Sequence, residues 1–419
     1  MQLNNPNSSA KNTSEMRVLL RSLNPQRAGV VYALALIMIV FQILTVSKGL
    51  PGFLGVANID NLLDEISIDG LLAVGMTILL ITGNFDLSVG YNAGLCAGVG
   101  MQIANRSGPL LGLLAAVATG MIIGLANGLL VQKLGVNSFV VTLGMAAICQ
   151  SGLLIVSNTL PILASRKAGS LGSLQLVRWT ISPVIGVIVG VMLISYALTR
   201  FMARERRVKQ VRMSQSVRVI VAGAATILVS VLWPGLLVQT REAWIMLVVT
   251  GGAALVLRYT VVGRRIYAVG GSVEAARLSG INITRYKIMP FIFIGVTAGI
   301  AGFFYASRFQ AVDPVALSGE ALPIIAACIV GGTSLFGGSG YVTKSVIGTL
   351  ILASLTTGFG LVNLGGNYQY LAEGLVIIAA VTVYTVGGGK RKRRGHSLES
   401  LDGPPLDAAP PSLGDVIAG

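Results

Sequence analysis

The sequence is poor in ionisable chemistry. Its 419 residues include one histidine, three cysteines and 16 acids, and charged residues make up 11%. A soluble domain carries about 25% charged residues. The single histidine, His396, stands in a polar tail, so a histidine-based metal site, triad or proton relay has nothing to be built from. Cys96, Cys149 and Cys328 lie alone inside apolar segments, without metal-ligand or disulfide spacing, and read as small hydrophobes. A phosphate-binding loop needs glycine directly before its lysine, and the nearest approach has Thr343 before Lys344. These absences exclude an ordinary soluble enzyme, a metal site and an evident ATPase site within the chain.

What is present is apolar surface and positive charge. Apolar residues reach 53%, the mean hydropathy is +0.78, and 31 cations leave a net charge of +15. The cations cluster: four precede Gly29, seven lie between Arg200 and Arg218, six between Arg258 and Lys287, and five form Lys390–Arg394. Basic runs also suit nucleic acid, but these alternate with lipid-length apolar segments. No nucleic-acid partner is expected. By the positive-inside rule they mark cytoplasmic loops, with both termini cytoplasmic.

A helix needs about 20 mainly apolar residues to cross the hydrocarbon core. That ruler gives twelve candidate spans: 29–48, 62–82, 87–105, 109–132, 137–157, 181–199, 218–238, 243–259, 288–308, 321–336, 345–362 and 368–386. The expected architecture is an all-α polytopic membrane protein with a cytoplasmic segment 1–28 and a transmembrane domain 29–386. Within that domain lie a basic loop, 200–217, and a second cytoplasmic loop, 260–287. A basic, then disordered, cytoplasmic tail covers 387–419. The Lys390–Arg394 run suits anionic membrane lipids.

Two places interrupt the apolar pattern. Residues 83–90 combine Gly83, Asn84, Phe85, Asp86, Ser88 and Gly90, and residues 331–340 combine Gly331, Gly332, Gly337 and Gly338. Both read as broken helices, which membrane depth tolerates only where they are buried in protein or line a cavity. The alternative for 83–90 is a short solvent-exposed turn with Asp86 capping the next helix. In the loop 260–287, a short helix is expected from Ser272 to Ser279. It is read as inserting into a partner rather than lying on the membrane surface.

The residues then reach a resemblance. Gly83-Asn-Phe-Asp-Leu-Ser-Val-Gly90, Phe139-Val-Val-Thr-Leu-Gly144, Tyr267-Ala-Val-Gly-Gly271, Glu274-Ala-Ala-Arg-Leu-Ser-Gly-Ile281 and Gly331-Gly-Thr-Ser-Leu-Phe-Gly-Gly338 are collinear with the monosaccharide permeases of ATP-binding cassette (ABC) importers. The extra span at 218–238 is similar to the xylose-type or multiple-sugar permeases. The chain departs from the family pattern at Asn84-Phe85, Tyr91 and Lys344, which puts the sugar in doubt. The resemblance implies a type II-like importer permease in a bacterial inner membrane, pairing as a homodimer. It implies a periplasmic sugar-binding protein outside and a separate cytoplasmic ATPase that holds the ATP and Mg2+. It assigns Glu274, Ala275, Ala276, Arg277, Ser279, Gly280 and Ile281 to ATPase coupling. Asn84, Phe85, Asp86, Ser88, Asn127 and Glu320 become candidates for the sugar path, with capping or interhelical bonding the favoured role for Asn127 and Glu320. The rivals are an ion-coupled secondary transporter of a small polar solute and a membrane-embedded enzyme; scarce intramembrane carboxylates weigh against both.

Overall fold

A computed structural model describes residues 25–165 and 241–363 continuously, and short pieces between 179 and 382. The chain divides into two units, Met1–Glu373 and Gly374–Gly419, the second almost wholly outside the described residues. The first contains α1 (Pro25–Ser47), α2 (Val56–Ile81), α3 (Val89–Ser107), α4 (Pro109–Lys133) and α5 (Ser138–Ser157). After a gap in description come α6 (Arg241–Tyr259), α7 (Val261–Gly271), α8 (Val273–Leu278), α9 (Ile283–Phe309), α10 (Ala321–Val330) and α11 (Val342–Leu361). Two antiparallel pairs of two-residue strands add minor β structure. Ile162–Leu163 pairs with Ala311–Val312, and Trp179–Thr180 with Val238–Gln239.

Among the described residues, six helices are long and apolar enough to cross a membrane: Gly29–Ser47, α4, α5, Glu242–Tyr259, α9 and α11. The expected spans 181–199, 218–238 and 368–386 lie outside the continuously described residues, as do the basic loop 200–217, the N-terminal segment before residue 25 and the tail 387–419. The expected span 321–336 is too long. Helix α10 ends at Val330, and Gly332 at φ +87° turns the chain away. Elsewhere the helix ends carry the signals that place them. Pro109 opens α4, where its missing N–H costs nothing. Asn137 caps α5 by accepting from the Phe139 N–H at 2.8 Å, and Asn282 caps α9 through the Arg285 N–H at 3.0 Å.

Helix α2 is the axis of the fold. From Ile66 to Ile81 every residue except Asp69 is buried. A helix buried on all sides packs against other helices rather than lipid, so it can carry acids that a lipid-facing span could not. Helices α6, α9, α10 and α11 surround it. Although α2 and α3 are consecutive, both pack on α9 rather than on each other. At one end of this bundle the Lys48 ammonium donates to the Val362 carbonyl beyond α11, at 3.0 Å. The strand pair that follows α5 and α9 joins those two helix ends. Residue Ile81, the C-terminus of α2, meets α7 and the 331–340 loop.

Glycine sets the crossing of α4 and α9. The stripes Gly120–Gly124 of α4 and Gly295–Gly299 of α9 face each other so closely that a Cβ on Gly295 would lie 2.1 Å from the Gly120 carbonyl oxygen. Lipid supplies no hydrophobic drive between helices, and close backbone approach replaces it with dispersion contact. Gly295→Val is therefore expected to destabilise the solubilised protein by about 1–3 kcal/mol. Gly144→Ala, whose added carbon meets nothing within 4 Å, serves as the control. Thermal unfolding in detergent checks this; equal melting of both variants with the native chain would refute the crossing.

Candidate functional site

The expected helix at 272–279 forms as α8. Ser272 caps it by accepting from the Ala275 N–H at 3.2 Å. At its other end Gly280, at φ +73°, closes the helix, with the Gly280 N–H donating to the Arg277 carbonyl and the Ile281 N–H to that of Ala276. Glu274, Ala275, Arg277, Leu278 and Gly280 are exposed, and so is Ser279, whose hydroxyl donates to the Ala275 carbonyl at 2.8 Å. Ala276 alone is buried, and Ile281 packs beside it. One side of this short helix is thus free while the other is embedded in a cluster with Ile78 and Ile81 of α2, Leu257 of α6, Ile266 and Val269 of α7, Tyr286 of α9 and Val342 of α11.

The segment after α2 is not a solvent-exposed turn. Asp86, Ser88 and Asn127 have no exposed surface. The Ser88 N–H donates to the Asp86 carboxylate at 2.8 Å, and the Ser88 hydroxyl donates to the same oxygen. Asn127 of α4 donates from Nδ2 to Ser88 Oγ at 3.0 Å and to the other Asp86 oxygen at 3.3 Å. The Leu87 N–H donates to Thr142 of α5 at 3.1 Å. Every donor to this carboxylate is neutral, and the knot fastens the segment to α4 and α5. Asn127 thus bonds from α4 across to the segment after α2. Asn84 is buried outside the knot, with only a long bond to Thr82. Phe85 packs edge-to-face on Phe139.

The two breaks meet. The Gly338 N–H donates to the Ile81 carbonyl at 2.9 Å. Gly83, Gly332, Gly337 and Gly338 have positive φ. Gly90 and Gly331 lie in ordinary conformations but against backbone, where a Cβ would sit 2.5 Å from the Leu317 oxygen and 2.6 Å from that of Lys344.

Glu320 is placed elsewhere. It stands at the N-cap of α10 without a side-chain cap bond and lines a cavity of about 310 Å3. Glu65, Asp69, Ser318, Thr349 and Thr356 share that cavity, and Glu65 accepts from the Thr357 hydroxyl at 3.0 Å. Glu65 and Asp69 were missed as site residues. Their signal was present, because acids at i and i+4 share one helix face. The cavity lies about 18 Å along α2 from Ile81, at a rise of 1.5 Å per residue.

Residues 58–381 match the family described as the permease component of the branched-chain amino acid transport system. The xylose transport system permease protein XylH of Escherichia coli K12 is 36% identical over 374 residues, 86% of this chain and 92% of that protein. XylH of Haemophilus influenzae is 34% identical over 382 residues, 87% of this chain and 98% of that protein. The ribose import permease protein RbsC of E. coli K12 is 30% identical over 350 residues, 83% and 92% of the two chains. No solved structure matches.

The knot around Asp86 is open to direct test. Ser88→Ala removes a donor and leaves a buried carboxylate oxygen short of a partner, at a cost of about 1–3 kcal/mol. A lower melting temperature is the expected result, and unchanged melting would remove the knot's structural role.

Proposed function

We infer the function of this chain from its family: it belongs to the permease components described for the branched-chain amino acid transport system, a family of transport proteins. Its work is passage of a solute through a membrane. The proposal is a monosaccharide, a pentose such as xylose or a related sugar, imported across a bacterial inner membrane. End-to-end similarity to XylH, covering 86% of the chain, is the observation that carries this reading.

In this mechanism the chain supplies the path and not the engine. Two copies form the pathway. A periplasmic binding protein delivers the sugar on one side, and a separate ABC ATPase holding ATP and Mg2+ grips the exposed face of α8 on the other. Both termini and the loop 260–287 lie on the ATPase side, as the charge distribution favours. The geometry of α8 suits that grip, since Glu274, Ala275, Arg277 and Leu278 are free while Ala276 anchors the helix.

The acidic cavity is the best candidate for a polar station on the route. Sugar hydroxyls donate to carboxylates, which Glu65, Asp69 and Glu320 offer, and the Thr349 and Thr356 hydroxyls, donating to Val346 and Leu352 of their own helix, add acceptor oxygens. Asp86 and Asn127, being wholly buried, serve the closed end as structure.

The test is uptake of labelled xylose and ribose into proteoliposomes carrying the permease, its ATPase and its binding protein. Glu274→Lys is expected to abolish ATP-driven uptake while leaving membrane insertion intact; full uptake by this variant would sink the docking assignment. Asp69→Asn combined with Glu320→Gln is expected to lower uptake about tenfold or more, the worth of one hydrogen bond to a charged group. Uptake at the native rate would take the cavity off the route.

A further inference from the structure

The loop that carries α8 reaches both helix breaks through α7. Helix α7 runs directly into α8. The Ser272 N–H closes α7 by donating to the Ala268 carbonyl at 3.1 Å, while the Ser272 side chain opens α8. A single residue thus joins the two helices. Near its C-terminus, beyond the packing of Val269 in the apolar cluster, α7 meets neighbouring backbone at two residues. The Tyr267 hydroxyl donates to the Gly340 carbonyl at 2.7 Å. Gly270 lies so close to the end of α2 that a Cβ there would sit 1.7 Å from the Ile81 oxygen and 2.8 Å from the Gly338 nitrogen. Gly337 in turn fits between Gly270 and Gly83, with a Cβ position 2.7 Å from the Gly270 oxygen and 3.0 Å from the Gly83 nitrogen. One helix terminus therefore touches the end of α2 and the 331–340 loop at the same point, and that loop in turn touches Gly83.

Contacts of this kind are stiff. Backbone against backbone has no side-chain rotamer to absorb a displacement, and packed interiors transmit strain rather than dissipate it. Burial, with Tyr341 nearby, raises the pKa of the Tyr267 phenol above its ordinary value, so it remains a donor. A second attachment fixes α7 laterally: Arg265 donates to the Tyr286 hydroxyl of α9 at 2.9 Å.

We propose that Tyr267 and Gly270 are positioning residues that couple the ATPase-facing helix α8 to both helix breaks, so that displacement of α8 moves the ends of α2 and α10 together. This rests on the importer function proposed above. Tyr267 neither binds sugar nor touches ATP; it acts through the 331–340 loop. Its loss should uncouple hydrolysis from passage and leave assembly alone.

The experiment measures sugar uptake and ATP hydrolysis in parallel in proteoliposomes of the complete complex with its binding protein. Tyr267→Phe keeps the ring and removes one hydroxyl. The expected result is a complex that assembles and hydrolyses ATP at close to the native rate, with sugar carried per ATP reduced roughly two- to tenfold. Gly270→Ala, which forces α7 away from Ile81, should lower the same ratio further. An unchanged ratio in Tyr267→Phe overturns the proposal, and so does a fall in which uptake and hydrolysis decline in proportion. If the native complex shows no ATP-driven sugar uptake, it is the importer reading that fails, which this design separates from failure of the coupling.

Discussion

Backbone that stops being helical inside a membrane protein must find partners for its N–H and C=O groups within the protein, because hydrocarbon offers none. Among the described residues, the segments 82–88 and 331–341 stop in this way, and much of the fold follows from how they are satisfied. They answer each other, through the Gly338 N–H and the Ile81 carbonyl. The first also reaches outward, through the Asp86 carboxylate to Ser88 and Asn127 and through the Leu87 N–H to Thr142. Neither break could stand without the other elements. Helices α4, α5 and α7 are held at this end of the bundle partly because the breaks need them there.

Close approach makes these bonds possible, and glycine makes the approach possible. The stripe on α4 meets that on α9, and Gly302 of α9 lies against the backbone of α3, where a Cβ would sit 2.1 Å from the Ala93 oxygen. The resulting crossings place Asn127 of α4 over Ser88, the N-cap of α3. The knot is thus a consequence of helix packing as much as of its own residues. Helix α9 is the element through which both effects run, since α2, α3 and α4 all pack on it.

Local features were legible in the sequence. Hydropathy placed the long helices of the described regions to within a few residues at most ends, and the short helix expected at Ser272–Ser279 forms as α8, whereas α7 (Val261–Gly271) was read as loop. Both breaks could be read directly, since Gly-Asn-Phe-Asp and Gly-Gly-Thr-Ser suit no helix interior. What could not be read was the choice of partner. Asn127 lies 41 positions from Asp86 and Tyr267 lies 73 from Gly340, and nothing local announces either pairing. The extent of α10 was overestimated because apolar Leu335 and Phe336 prolong the hydropathy beyond the glycines that end the helix. Glu65 and Asp69 were overlooked for the opposite reason. The surrounding apolar residues qualified 62–82 as a span, and only the all-round burial of α2 shows why its acids are tolerable there.

That burial divides α2 into two unlike halves. Its first half bears Asp60, Asp64, Glu65 and Asp69 and borders the acidic cavity; its last three turns are buried and carry no charge. In the importer proposed above, a polar solute finds acids along the first stretch and only the Thr77 hydroxyl, already bonded to the Ala73 carbonyl, along the last, so the barrier to its passage lies toward Ile81. This is also the end gripped by α7 and by the apolar cluster around Ala276. An importer must lower its barrier at the cost of ATP, and energy acts most directly where the barrier is. The exposed face of α8 lies one short helix away from that barrier, with backbone contact at each step between. In the importer proposed above, the exposed face of α8 under the dry half of α2 puts the ATPase at the end away from the acidic cavity.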